Sequence, residues 1–207
     1  MARPKHQEGE PTAYDRIAEA YWAELSEKEY SKITISSLAR RAGVNHNLLY
    51  YYFQNIDEMA VRFFEENTQG EVSAQFFVQA LLQGKDIAPT LRENNLVRMQ
   101  RVRLYARGDS AFLTGIFRKA VINTWLDGSG KSWEDLSFED RFDLHFVIGG
   151  LTSILGTSEL SDTPSKLLSF TQREIGSAAR EALSRIRMKK TESVLYRKYR
   201  DTTSGRE

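Results

Sequence analysis

Within this 207-residue chain no acidic residue falls between Lys32 and Ile56, and that stretch holds Asn45-His46-Asn47 followed by Tyr50-Tyr51. An amide or an imidazole can both donate to and accept from base edges, and a tyrosine hydroxyl can donate to a phosphate oxygen. An acid on the same face would repel the nucleic-acid backbone, so its absence matters. Presented together on one exposed face, these five side chains suit the reading of duplex DNA. Arg40 and Arg41, just upstream, either complement a helix dipole or touch DNA.

Presenting them requires short helices at a fixed angle. Ile35, Leu38, Ala39 and Ala42 recur at helical spacing after Thr34, a natural N-cap, and Gly43 can close that helix in the left-handed conformation. Asn45 then caps a third helix to about Tyr52 that buries Leu49 and Phe53, while Val44 turns back into the core. Two short helices about a glycine turn form a helix-turn-helix, whose second helix enters the major groove. A helix from about Thr12 to Lys28, with Ile17, Ala20, Tyr21 and Leu25 on one face, supplies its support. A fourth helix, capped by Asn55 with Glu58 three residues on, carries Met59, Ala60, Phe63 and Phe64 and is expected to continue to Leu82.

The run Thr34-Ile35-Ser36-Ser37-Leu38-Ala39-Arg40-Arg41-Ala42-Gly43-Val44-Asn45-His46-Asn47-Leu48-Leu49-Tyr50-Tyr51-Tyr52-Phe53 closely resembles the tetracycline-repressor (TetR) family. That family's pattern is roughly T-T/V-x-x-I/L-A-x-x-A-G-V-S-x-G-T-L/I-Y-x-Y-F, with a lysine three residues on. The resemblance covers about residues 12–60. It implies an all-α protein: an N-terminal three-helix helix-turn-helix domain followed by a larger helical ligand-binding and dimerisation domain. It further implies that Thr34 and Ser36 approach DNA from the second helix, that Asn45, His46 and Asn47 face bases, and that Tyr50 and Tyr51 contact phosphates. Three positions depart from the pattern: Asn45 replaces a serine, Leu48 a threonine, and Ile56 the lysine that would pair a phosphate. Affinity is then expected to lean on Arg3 and Lys5 of the N-terminal arm.

The rest of the chain reads as helix throughout, with no sustained period-two alternation. One helix is expected from near Pro89 to Ala106, one from Ser110 to Leu126 before a loop Asp127–Lys131, one from Ser137 to Gly156, and one from Thr163-Pro164 to Met188. This divides the chain into residues 1–56 for DNA binding, 57–190 for effector binding and dimerisation, and a charged tail, 191–207. Gly149, Ser153 and Gly156 form a strip of small side chains, and Leu168, Ile175, Ala178, Ala179, Ala182 and Ile186 an apolar face, so the two helices are expected to build a four-helix dimer interface. Packing within one chain is the alternative. A pocket for an apolar small-molecule effector would draw on Tyr105, Phe112, Phe117, Trp125 and His145, beside Phe146, although each of these also serves as plain core.

Composition sets the outer limits. Apolar residues at 41% and charged residues at 28% are those of an ordinary globular chain, and no run of about 18 apolar residues suggests a membrane span. With no apolar leader, a cytoplasmic location is expected. There is no cysteine, and His6, His46 and His145 lie far apart, so neither metal nor other cofactor is expected. The net charge is +1, and the first 60 residues hold nine acids against seven bases, which counts against DNA binding unless the local contacts dominate. The function expected is a homodimeric, sequence-specific regulator of operator DNA, a repressor released by an effector. A helix-turn-helix scaffold without an effector is the runner-up. An enzyme is disfavoured because Ser110, Asp143 and His145 could form a triad only by assertion.

Overall fold

A computed structural model describes residues 10–69, 93–157 and 172–188, and every helix or turn below lies within them. Eight α-helices are described: α1 (Ala13–Glu27), α2 (Ile35–Ala42), α3 (His46–Tyr52), α4 (Ile56–Thr68), α5 (Glu93–Ala106), α6 (Ala111–Ser129), α7 (Phe138–Gly156) and α8 (Glu174–Met188). Short 3-10 turns at Tyr30–Lys32 and Trp133–Asp135 connect them, and among the described residues there is no strand. None of the described helices is long and apolar enough to cross a membrane.

Capping explains where the first four helices begin. Thr12 and Asp15 exchange side-chain-to-backbone hydrogen bonds across the start of α1, and Thr34 and Ser37 do the same for α2. Asn45 and Asn55 accept from the N–H groups of Leu48 and Glu58. The Glu58 carboxylate takes the N–H of Gln54, one residue before the cap, so the start of α4 is a near relative of the capping box. Gly43 ends α2 at φ +64°, and the N–H of Val44 reaches the carbonyl of Ala39, which turns Val44 inward.

Two buried clusters hold the helices. The first joins Ile17, Tyr21, Trp22 and Leu25 of α1 with Leu38, Leu49, Phe53, Met59, Phe63 and Phe64, and also with Tyr105, Leu113, Phe117 and Leu155. The second consists of Trp125, Leu126, Leu136, Leu144, Val147, Ile148, Leu183 and Ile186. Val121 packs against both. At the first cluster, α7 crosses the end of α5 so closely that a Cβ on Gly156 would lie 2.1 Å from the Ala106 carbonyl oxygen.

Three boundaries differ from the sequence expectation. α4 stops at Thr68: the Thr68 hydroxyl donates to the carbonyls of Phe64 and Glu65, Gln69 turns extended, and Arg98 of α5 donates to the Gln69 carbonyl at 2.7 Å. The rest of the expected run to Leu82, and Pro89, lie outside the described residues. α6 continues through Asp127, Gly128 and Ser129, because the left-handed residue is the second glycine, Gly130 (φ +63°), and the N–H of Lys131 bonds back to Leu126. α8 begins at Glu174 after a turn and bend at Gln172 and Arg173, so no single helix reaches it from Thr163, which lies outside the described residues, as does Leu168.

Candidate nucleic-acid interface

α3 is a seven-residue helix with its inner side committed to the core and its outer side to solvent. Leu49 and, just beyond the helix, Phe53 are buried, and Tyr52 packs edge-on to Tyr14. Asn45, His46 and Asn47 are exposed, and Tyr50 and Tyr51 leave 57% and 79% of their surface open. The five therefore lie together on one exposed segment. Asn45 spends its side-chain oxygen on the Leu48 N–H at 2.8 Å, which leaves the amide N–H groups as its outward-facing chemistry. Leu48, at the position of the expected threonine, is half-buried.

On α2, Thr34 and Ser36 are both exposed. The Thr34 oxygen already accepts from the Ser37 N–H, so its hydroxyl proton remains to be donated outward. Buried Ser37 donates to the equally buried Glu24 carboxylate at 2.5 Å, and Lys28 pairs with that carboxylate at 2.8 Å. This link fixes α2 against α1 and was hidden in the sequence, where Glu24 counted only as one acid among many. Arg16 Nε donates to the Ala42 carbonyl, closing the end of α2 from the same helix.

Seven of the nine acids in this segment are engaged internally, Asp15 with Thr12 and Glu24 with Ser37. Glu27 is held by Arg41 through both guanidinium nitrogens, and this hydrogen bonding keeps its carboxyl below the usual range. Glu29 pairs with Lys32, Glu58 with Arg62, and Glu19 with Arg101 of α5. Tyr30 donates to Asp57 at 2.6 Å and Tyr14 to Glu66 at 2.5 Å. Burial, and then those carboxylates, push both phenols up, Tyr14 to about 12.

The site is anchored to the rest of the chain by α5. The Tyr21 and Tyr105 hydroxyls meet at 2.7 Å and Tyr105 donates to the Ala60 carbonyl, while burial raises both phenols. Arg107 donates to the carbonyls of Leu25 and Lys28 at the end of α1, and Arg101 lies over Trp22.

The residues singled out for a pocket are spread across the fold. Tyr105 and Phe117 belong to the first cluster and Trp125 to the second; Phe112 is partly exposed and stacked on Tyr30; His145 is exposed and edge-on to Trp133. Of the residues singled out for a dimer face, Ser153 and Ile175 are exposed, Gly149, Ala179 and Ala182 are half-buried, and Gly156 is occupied by the crossing with α5. The spacing of small residues did not single out three outward-facing phenylalanines of α7: Phe138, Phe142 and Phe146, exposed by 78%, 64% and 74%. Their i, i+4, i+8 register is visible in the sequence, but α7 is apolar on its inner face too, which masked the outer one.

Residues 17–63 match the family model described as bacterial regulatory proteins, tetR family. No curated protein matches the chain. Among solved structures it is similar to the fatty acid degradation regulator FadR from Bacillus halodurans, at 14% identity over 85% of this chain and 96% of that one, with a TM-score of 0.45. It is also similar to a TetR transcriptional regulator from Rhodococcus sp. RHA1, at 19% identity over 83% and 94%, with a TM-score of 0.40. The matched residues run from the buried face of α1 through both helices of the glycine-centred turn and into α4, so this segment of the chain is a helix-turn-helix of the kind the tetR family model describes.

Proposed function

We propose that the chain is a homodimeric, sequence-specific repressor that leaves its operator when a small apolar effector binds. The observation that carries the DNA-reading part is the exposed, acid-free α3, with His46 and Asn47 free to meet base edges and Tyr50 and Tyr51 to meet phosphates. Thr34 and Ser36 of α2 add backbone contacts. Selection from random duplex DNA should return a pseudo-palindrome whose half-sites match the spacing of two recognition helices. Recovery of no preferred sequence overturns this reading.

The two-fold partner follows from α7. Its inner residues Leu144, Val147 and Ile148 fill the second cluster, while its outer phenylalanines are exposed among the described residues. A helix with apolar residues on two faces gains from covering the outer one, and a second copy supplies that cover. Sedimentation of the 23.8 kDa chain at micromolar concentration should give twice that mass. The effector reading rests on Val121, which touches both clusters: a ligand wedged beside it would change how α5 and α6 sit, and α5 holds α1. Binding shifts the equilibrium only if it favours the form whose recognition helices miss the groove spacing. A compound that raises Tm while lowering operator affinity would support this; effectors that change one without the other count against it. In this reading residues 1–56 read DNA and 57–190 sense and dimerise, with the tail, 191–207, outside both roles. The division is functional rather than a folding boundary, since Met59, Ala60, Phe63 and Phe64 complete the core of the first part.

A further inference from the structure

We infer that Arg40 is the phosphate-binding cation of the helix-turn-helix, and that the adjacent Arg41 is not. The inference rests on the proposed DNA-reading role and adds the residue that would supply its charge. Six bases lie among described residues 10–69, and five are already engaged. Arg16 serves the Ala42 and Pro11 carbonyls, Lys28 is paired with Glu24, Lys32 with Glu29, Arg41 with Glu27 and Arg62 with Glu58. Arg40 is exposed and, among the described residues, has no hydrogen bond, ion pair or aromatic ring beneath it.

Position agrees with availability. Arg40 follows the exposed Ser36 by four residues, one turn along the same face of α2, whereas Arg41 is rotated towards α1 and gripped there by Glu27. α3 contains no lysine or arginine, and Ile56 and Gln54 offer none at the start of α4. A recognition unit that reads bases through neutral groups still needs a charge to displace counterions from phosphate, and a free guanidinium does so with a two-pronged hydrogen-bond donor. Re-aiming Arg41 would first break a doubly bonded ion pair; Arg40 has nothing to give up.

The test is the salt dependence of binding to the selected operator, measured for the full chain and for Arg40→Ala, Arg40→Lys and Arg41→Ala, with Tm recorded for each. Arg40→Ala should reduce the slope of log K against log salt by about one per half-site. Arg40→Lys should restore it, and Arg41→Ala should leave it unchanged. If Arg40→Ala lowers Tm with the slope intact, the residue only complements the α2 dipole and the inference fails; equal slopes for the two alanine variants also overturn it. Operator binding by the unaltered chain is read in the same experiment, so failure of the DNA-reading role appears there as no binding at all.

Discussion

Charge and hydrogen-bonding capacity sort the side chains of the first four helices into those that hold the unit together and those that face outward. His46 and Asn47 have no internal duty among the described residues. Alanine at either should cost about 1–3 kcal/mol at the selected operator and relax discrimination at one or two base pairs, with nonspecific binding nearly unchanged. Tyr50→Phe should weaken all sequences alike and leave the salt slope in place, because the lost group is neutral. Competition binding against operator variants separates the two patterns; intact discrimination in both alanine variants would remove α3 as the reader. Four buried or half-buried phenols predict a pH response. Tyr14, Tyr21, Tyr30 and Tyr105 all have raised pKa values in the fold, Tyr14 from about 10 to about 12. Above pH 10 the unfolded chain therefore binds fewer protons than the folded one, so stability is complete below about pH 10 and falls as pH rises towards 12. Denaturant midpoints taken from pH 8 to 11.5 should hold steady and then drop, and Tyr105→Phe should blunt the drop.

Helix boundaries were legible where a local signal sets them. Thr12, Thr34, Asn45, Asn55, Ser110 and Ser137 each cap the helix that the sequence assigned to them, because a cap is a local bargain between one side chain and the next turn. The end of α4 depends instead on Arg98, which comes from another helix, and the buried Glu24–Ser37 link joins two helices; neither can be read from one segment's periodicity. Gly128 and Gly130 show the same limit, since both are glycine and only the second takes the left-handed conformation. Glycine is required for two different reasons at Gly43 and Gly156. Gly43→Ala has open space but the wrong backbone, and should cost about 1–3 kcal/mol. Gly156→Ala keeps a helical backbone but drives Cβ into the Ala106–Arg107 peptide, an overpacking worth about 1–3 kcal/mol that must push α7 off α5. Chemical denaturation measures both costs, and operator affinity distinguishes them. Gly43→Ala should disturb the angle between α2 and α3 and so weaken DNA binding, whereas Gly156→Ala should spare the turn. Equal losses of affinity per unit of lost stability would contradict that separation.

The proposed assembly rests on the exposed outer face of α7. Buried aromatic side chains cover about 150–250 Å² each. At their observed exposures, Phe138, Phe142 and Phe146 leave on the order of 400 Å² uncovered on one helix face. That is about half of what one partner contributes to a standard interface. Exposed Ile175 on α8 enlarges the same kind of surface, and Arg185 ties α8 to Asp143 of α7 at 2.6 Å, so the two helices can move as one plate. Small residues would govern approach: among the described residues Gly149 and Gly150 have nothing within 4 Å of an added Cβ, which leaves room for a second copy to come close. Phe142 lies between the other two phenylalanines, and a two-fold axis crossing α7 would bring both copies of it into the joint. Phe142→Asp should then cost about 2 kcal/mol or more per protomer, roughly a thousandfold in dimer affinity, with helicity preserved because no buried contact within the chain is lost. Analytical ultracentrifugation of this variant should show monomer at concentrations where the parent chain is dimeric. Gly149→Leu should act in the same direction by holding the helices apart. Binding to a half-site should survive in Phe142→Asp while binding to the full palindrome loses its advantage, since each α3 remains intact and only their spacing is released. A Phe142→Asp chain that stays dimeric would move the interface away from this face of α7.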